Sequence, residues 1–251
     1  MQRIVLAIAA LAMGLGVAQA DGPHEGRFNW TGLYAGLHAG HGWADWDGTP
    51  VYDPGTGPMA GVFHPGSSVI DGNGWLGGGQ IGFNRQVGAL VWGLEVDGAV
   101  SDMEGEKTFT SIGGLYDWKI GTQLDAFGTA RLRLGITNGP LLFYGTGGVA
   151  FGRTTSDLEV TSRDGFDPAQ VTAIGSATQY HVGWAAGAGI EWAFAPGWST
   201  KLEWVYVDLG TANYRLKGTA YPGTLNLPHT TDSFESDLNF HTVKMGINYR
   251  F

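Results

Sequence analysis

His241-Thr242-Val243-Lys244-Met245-Gly246-Ile247-Asn248-Tyr249-Arg250-Phe251 is the stretch that decides the fold. Val243, Met245, Ile247, Tyr249 and Phe251 occupy every second position and are all apolar. Thr242, Lys244, Gly246, Asn248 and Arg250 lie between them. A period of two puts the two sets on opposite faces of a strand. One face is uncharged and greasy; the other is polar and carries two cations. A strand set between lipid and a polar lumen fits this pattern. The competing reading is an edge strand of a soluble β domain.

The other end of the chain favours the membrane. Met1-Gln2-Arg3 is a short basic start, Ile4 to Val17 is an apolar run, and Ala18-Gln19-Ala20 has the A-x-A form of a cleavage site. These are the parts of a secretory signal peptide. Residues 1-20 are therefore expected to be removed after Ala20, leaving 21-29 as a short periplasmic lead-in and 30-251 as one barrel domain. Loss of Arg3 takes the formal charge from -9 to -10.

Composition narrows the class. There is no Cys, which removes thiol chemistry and Cys-based metal centres. A pI near 5.1 with scattered charge argues against nucleic acid as a partner. The 43 Gly taken alone would suit disorder, but 43% hydrophobic and 12% aromatic residues are too many for that. The 10 Trp and 9 Tyr suit rings placed at membrane interfaces. Strand glycines let bulky interior side chains pack on bare backbone.

The same alternation recurs along the chain. Leu33, Ala35, Leu37, Ala39 and Trp43 share one face of a first strand, with Tyr34, Gly36, His38, Gly40 and Gly42 on the other. Ile81 and Phe83 face out of a second strand, with Gln80, Gly82, Asn84 and Gln86 facing in. Trp92, Leu94 and Val96 face out of a third, with Glu95 and Asp97 inward. The fourth, 123-136, is read with Leu124, Ala126, Ala130, Leu132 and Leu134 outward and Asp125, Phe127, Thr129, Arg131 and Arg133 inward. The fifth to seventh put Phe143, Val149, Trp184, Ile190, Trp192, Leu202, Trp204 and Tyr206 outward. They put Tyr144, Thr146, Glu191, Lys201 and Glu203 inward. Tight turns are expected at 87-89, 138-139 and 196-197, and long connections at 44-74, 102-118, 153-178 and 210-236. Three short links and four long ones suit eight strands with short periplasmic turns and long outer loops. The expected fold is all-β, an eight-stranded antiparallel up-and-down transmembrane β-barrel.

The inward charges are Glu95, Asp97, Asp125, Glu191 and Glu203 against Arg131, Arg133, Lys201, Lys244 and Arg250. Facing a lumen wide enough only for side chains, they are expected to pair as a structural plug rather than to form an ion path. Other chemistry is sparse. No metal-ligand spacing of His is present, so neither a metal nor a cofactor is expected. His41 and His241 are placed outward at similar heights. Ser176 and His181 form the single suggestive hydrolytic pair, and no G-x-S-x-G accompanies it. The acids of the long connections could share divalent cations with lipopolysaccharide phosphates, or serve only as a solvated face.

Several stretches carry a resemblance. Phe28-Asn-Trp30-Thr-Gly32-Leu-Tyr34-Ala-Gly36, Gly78-Gly-Gln80-Ile-Gly82-Phe-Asn84, Gly93-Leu-Glu95-Val-Asp97 and Leu124-Asp-Ala-Phe127-Gly-Thr-Ala-Arg131-Leu-Arg133-Leu-Gly135 resemble the small outer-membrane immunogenic proteins of alphaproteobacteria, relatives of the OmpA-type barrels. Tyr144-Gly-Thr-Gly147-Gly148-Val-Ala-Phe-Gly152, Lys201-Leu-Glu203-Trp-Val-Tyr206-Val-Asp208-Leu-Gly210 and Tyr249-Arg-Phe251 complete the set. These blocks cover nearly every strand and none of the long connections. Val243, Met245, Ile247, Tyr249 and Phe251 also resemble the C-terminal signal that the barrel-assembly machinery reads. The resemblance implies an integral outer-membrane protein with a structural or surface-antigen role, in contact with lipid and lipopolysaccharide. A small porin or haem-binding protein is the alternative, and a lipid A-modifying enzyme the third reading.

Overall fold

A computed structural model describes residues 28–50, 68–110, 116–162, 171–220 and 227–251. The stretch expected to be a signal peptide, 1-20, and most of the expected lead-in, 21-29, lie outside these residues. Eight strands follow in order: β1 (Gly32–Pro50), β2 (Ser68–Val87), β3 (Leu90–Thr110), β4 (Tyr116–Asn138), β5 (Leu141–Ser162), β6 (Val171–Ala195), β7 (Trp198–Ala220) and β8 (Leu227–Arg250). Each pairs antiparallel with the next, and β8 pairs with β1 to close the ring. Closure joins β8 to β1 and so removes the free sheet edge that lipid would not tolerate. Among the described residues no helix is long and apolar enough to cross a membrane; crossing is done by strands.

Register sets the barrel's shape. Moving from partner to partner from Tyr34 through Gly82, Glu95, Arg131, Gly148, Ala185, Val207 and Phe240 returns to β1 at Ala44, ten residues beyond the start. Such a stagger goes with strands tilted by about 35–45°. Two-residue turns at Gly88-Ala89, Gly139-Pro140 and Pro196-Gly197 gather at one end, with Trp30 and Phe251. Asn138 thus ends β4 instead of lying in its turn. By the usual asymmetry of these barrels the tight-turn end is periplasmic.

Outward side chains form the expected apolar band. Leu37, Leu94, Leu132, Val182 and Met245 are all exposed, as a lipid-facing surface must be. Aromatics rim both edges: Trp92, Trp192, Phe194, Trp198, Tyr249 and Phe251 near the turns, and Trp43, Trp75, Trp184 and Tyr206 toward the other side. Rings at both interfaces are what a bilayer selects.

The strands are longer than alternation indicates. They run from 19 to 25 residues, whereas about 9–11 suffice to cross the hydrocarbon core. Much of 44-74, 102-118, 153-178 and 210-236 is therefore paired strand, not loop. The reason is an inversion of pattern. Beyond the outer aromatic rim, Asp45, Asp71, Glu104, Glu106, Asp157 and Glu159 point outward to water, while Trp46, Ile70, Met103, Leu158, Leu238 and Phe240 are buried inside. Leu124 belongs to this inner set, with 1% of its surface exposed. A bulge between Leu124 and Ala126 adds one residue to β4 and reverses which face its extension presents.

Candidate functional site

The lumen holds three stacked layers. The middle one is ionic. Glu95 and Asp97 come from β3, Arg131 and Arg133 from β4, Glu191 from β6, Lys201 and Glu203 from β7, and Lys244 from β8. Arg131 Nη2 lies 3.0 Å from Glu95, 2.8 Å from Asp97 and 3.0 Å from Glu203. Arg133 pairs with Glu191 at 2.7 Å and reaches Glu95 at 3.5 Å. Lys201 Nζ donates to both oxygens of Glu95 at 2.9 Å. Lys244 lies 3.3 Å from Asp97 and 3.4 Å from Glu203. Four carboxylates thus meet four cations, and all eight residues are buried. Buried charge requires this balance, since an unpaired ion in low dielectric is strongly unfavourable.

Neutral groups complete the ionic layer. Tyr34 donates to Glu95 (2.8 Å) and accepts from Arg133 (2.6 Å), while Tyr144 donates to Glu203 (3.1 Å). Ser199 and Asn248 both donate to Glu191, Gln80 donates to Asn248, and Thr129 donates to Asp97. The Arg133 guanidinium sits 3.9 Å above the Tyr144 ring. Both tyrosines need bare backbone opposite them. A Cβ on Gly82 would stand 2.3 Å from the Tyr34 hydroxyl, and one on Gly189 2.5 Å from that of Tyr144. Gly82 and Gly189 are the register partners of these tyrosines, and their bare backbone lets each ring lean over the neighbouring strand inside so narrow a barrel.

Apolar layers lie on either side. Outside the ionic layer, Leu76, Ala99, Met103, Phe127, Val207, Leu209 and Phe240 form one buried cluster, with Phe127 and Phe240 edge to face at 5.1 Å. On the periplasmic side, Trp30, Val91, Leu142, Tyr144 and Ala193 form a second, against which Phe28 packs.

Eight of the ten inward charges expected from the sequence therefore converge, and two do not. Asp125 sits at the β4 bulge, where it accepts from Thr155 (2.8 Å) and lies 3.4 Å from the half-exposed Arg153. Arg250 stacks over Phe28 and Trp30 at the periplasmic mouth. The structure also separates the suggestive hydrolytic pair. Ser176 is exposed on the outer surface, while His181 is buried inside against Thr154. His41 and His241 face outward as expected. His41 meets Trp43 and Trp75 at about 5 Å, and His241 stacks on Trp204 at 5.7 Å. Among the described residues no group of three or more His, Asp or Glu side chains could hold a metal ion.

Alternation alone did not disclose the roles of Tyr34, Tyr144, Asn248 or Trp30, nor the outer apolar layer. Tyr34 and Tyr144 did carry a usable signal, as inward aromatics at the level of inward charges. Their partners are 61 and 59 residues away, and only register brings them together.

The outer membrane protein beta-barrel domain matches residues 7–251. A 31 kDa outer-membrane immunogenic protein of Brucella melitensis is 32% identical, over 98% of this chain and 95% of the relative. A 22 kDa outer membrane protein of Rhizobium leguminosarum is 29% identical over 76% of this chain and 74% of its own. Among solved structures, the outer membrane protein OprG from Pseudomonas aeruginosa shares 15% identity with a TM-score of 0.47, over 89% of this chain and 98% of that one. The chain belongs to the outer membrane protein beta-barrel family and is a protein of the bacterial outer membrane.

Proposed function

We propose that this barrel is a closed structural protein of the envelope that displays its outer hairpins at the cell surface, and that it neither conducts nor catalyses. The filled lumen carries this reading. A balanced ionic layer between two apolar layers leaves side chains where a porin would hold water. Ser176 and His181 on opposite faces of β6 offer no hydrolytic centre. The naming of the Brucella relatives as immunogenic supports surface display.

Two partners follow. The barrel-assembly machinery receives β8 through the outward row Val243, Met245, Ile247, Tyr249 and Phe251. Lipopolysaccharide surrounds the outer rim, where Trp43, Trp75 and Trp184 meet its acyl boundary. Planar-bilayer recording of the refolded protein tests the closed lumen. Silence under applied voltage is the expected result; steady single-channel steps would replace this reading with a narrow porin.

A further inference from the structure

The segment Phe28-Asn29-Trp30 precedes the first strand and plays no part in the lipid face or in the ionic layer. It nevertheless holds one of the most buried side chains of the protein, since Trp30 has 1% of its surface exposed. Trp30 is anchored on three separate parts of the periplasmic end. Its indole Nε1 donates to Thr137 Oγ1 at 2.8 Å and to the Gly139 carbonyl at 3.3 Å, on the β4–β5 turn. Its backbone N–H donates to Gln86 Oε1 at 2.8 Å, and the Gln86 N–H donates to Thr31 Oγ1 at 3.0 Å, a reciprocal clasp on the end of β2. The Arg250 guanidinium, on the last strand, lies 4.4 Å over Phe28 and 5.6 Å over Trp30. Phe28 and Trp30 pack edge to face at 4.9 Å.

From this we infer that Phe28 and Trp30 are a stopper for the periplasmic mouth, laid across the lumen by the chain that enters β1. The charges of Glu191 and Arg133 lie just inside it, and Ala193 lines the floor against which the indole packs. The outer apolar layer closes the other side, so the ionic layer is shielded from water at both ends only while the stopper is seated. The stopper is joined to the barrel wall by a few hydrogen bonds and by the Arg250 guanidinium over its two rings, not by strand pairing. Elements held in that way open locally at far lower free energy than paired strands. Among the described residues of this periplasmic cluster, Phe28 and Trp30 are the ones not carried on a strand. This inference rests on the closed-lumen reading above.

The chain has no native cysteine, so a single introduced thiol reports without background. Ala193→Cys places one beneath the stopper, and Ala150→Cys places one in the outer apolar layer, beyond the ionic layer. Each is made in the refolded full chain with and without Phe28→Ala plus Trp30→Ala, and exposed to a small charged methanethiosulfonate. The barrel is confirmed by its heat-modifiable gel mobility. Expected is slow labelling at 193 in the parent, faster by roughly tenfold or more without the two rings, and slow labelling at 150 in both. If the double variant does not refold, Trp30→Ala alone decides by the same comparison, because the indole is the ring that packs with Ala193. Equal labelling rates at 193 with and without the rings would overturn the stopper while leaving the closed lumen standing. Fast labelling at 150 in the parent would overturn the closed lumen itself, and the stopper with it.

Discussion

Arg131→Ala is the sharpest perturbation of the lumen. Arg131 touches three of the four buried carboxylates, all through Nη2, at 2.8–3.0 Å. Its loss leaves three cations facing four acids. Removing one partner of a buried pair typically costs about 3–5 kcal/mol, because the other charge stays behind. Two features place this site at the lower end. Each orphaned acid keeps another cation: Lys201 beside Glu95, and Lys244 beside Asp97 and Glu203. In addition, Glu95 keeps a second cation, with Arg133 Nη1 at 3.5 Å. The expected loss is about 3 kcal/mol, read by urea unfolding in lipid vesicles with tryptophan fluorescence and gel mobility as independent probes. Arg131→Met with Glu203→Gln removes one charge of each sign and should recover part of the loss, with a coupling of roughly 1–3 kcal/mol. Arg153→Ala, on a half-exposed pair with Asp125, should shift stability by only about 0–1 kcal/mol. If Arg131→Ala is as mild as Arg153→Ala, the ionic layer is hydrated and the reasoning from burial fails.

Other outcomes follow from the same geometry. Gly189→Ala should destabilise by about 1–3 kcal/mol, since the new methyl would meet the Tyr144 hydroxyl and ring and the Leu202 carbonyl; Tyr144→Phe in that background should restore little, because the ring carbon Cζ at 2.6 Å and the backbone carbonyl remain. In a cysteine-free chain, Glu106→Cys on the outer extension should be labelled on intact cells and Pro140→Cys in the β4–β5 turn should not; the reverse pattern would invert the topology. Deleting Phe251 should lower the outer-membrane level of the protein sharply, as measured by fractionation, and normal levels would remove this residue from the assembly signal.

The sequence was most legible where lipid does the selecting. Hydrocarbon accepts only apolar side chains, so the row from Val243 to Phe251 and its counterparts at Leu94–Val96 and Leu132–Leu134 read directly as outward faces. Above the bilayer that selection ends and reverses, with water outside and a packed interior. Apolar-out alternation therefore marks the extensions as loops and Leu124 as outward, whereas the extensions are paired and Leu124 is buried inside. The bulge at Asp125 compounded this by shifting the parity of β4. Charge balance in the lumen was legible as a count, but the pairings were not. The ten-residue stagger around the ring decides which residues share a height, and no local pattern encodes it. Trp30 escaped for another reason: it lies outside any strand, so alternation has nothing to say about it.

The ionic layer is closed to bulk water, and side-chain hydrogen exchange measures that closure. NMR of the refolded barrel in detergent micelles can follow the guanidinium protons of Arg131, Arg133 and Arg153 after transfer to deuterated water. Lasting signals are expected from Arg131 and Arg133, buried in the lumen, with loss within the dead time from the half-exposed Arg153. Equally fast exchange at all three would contradict it.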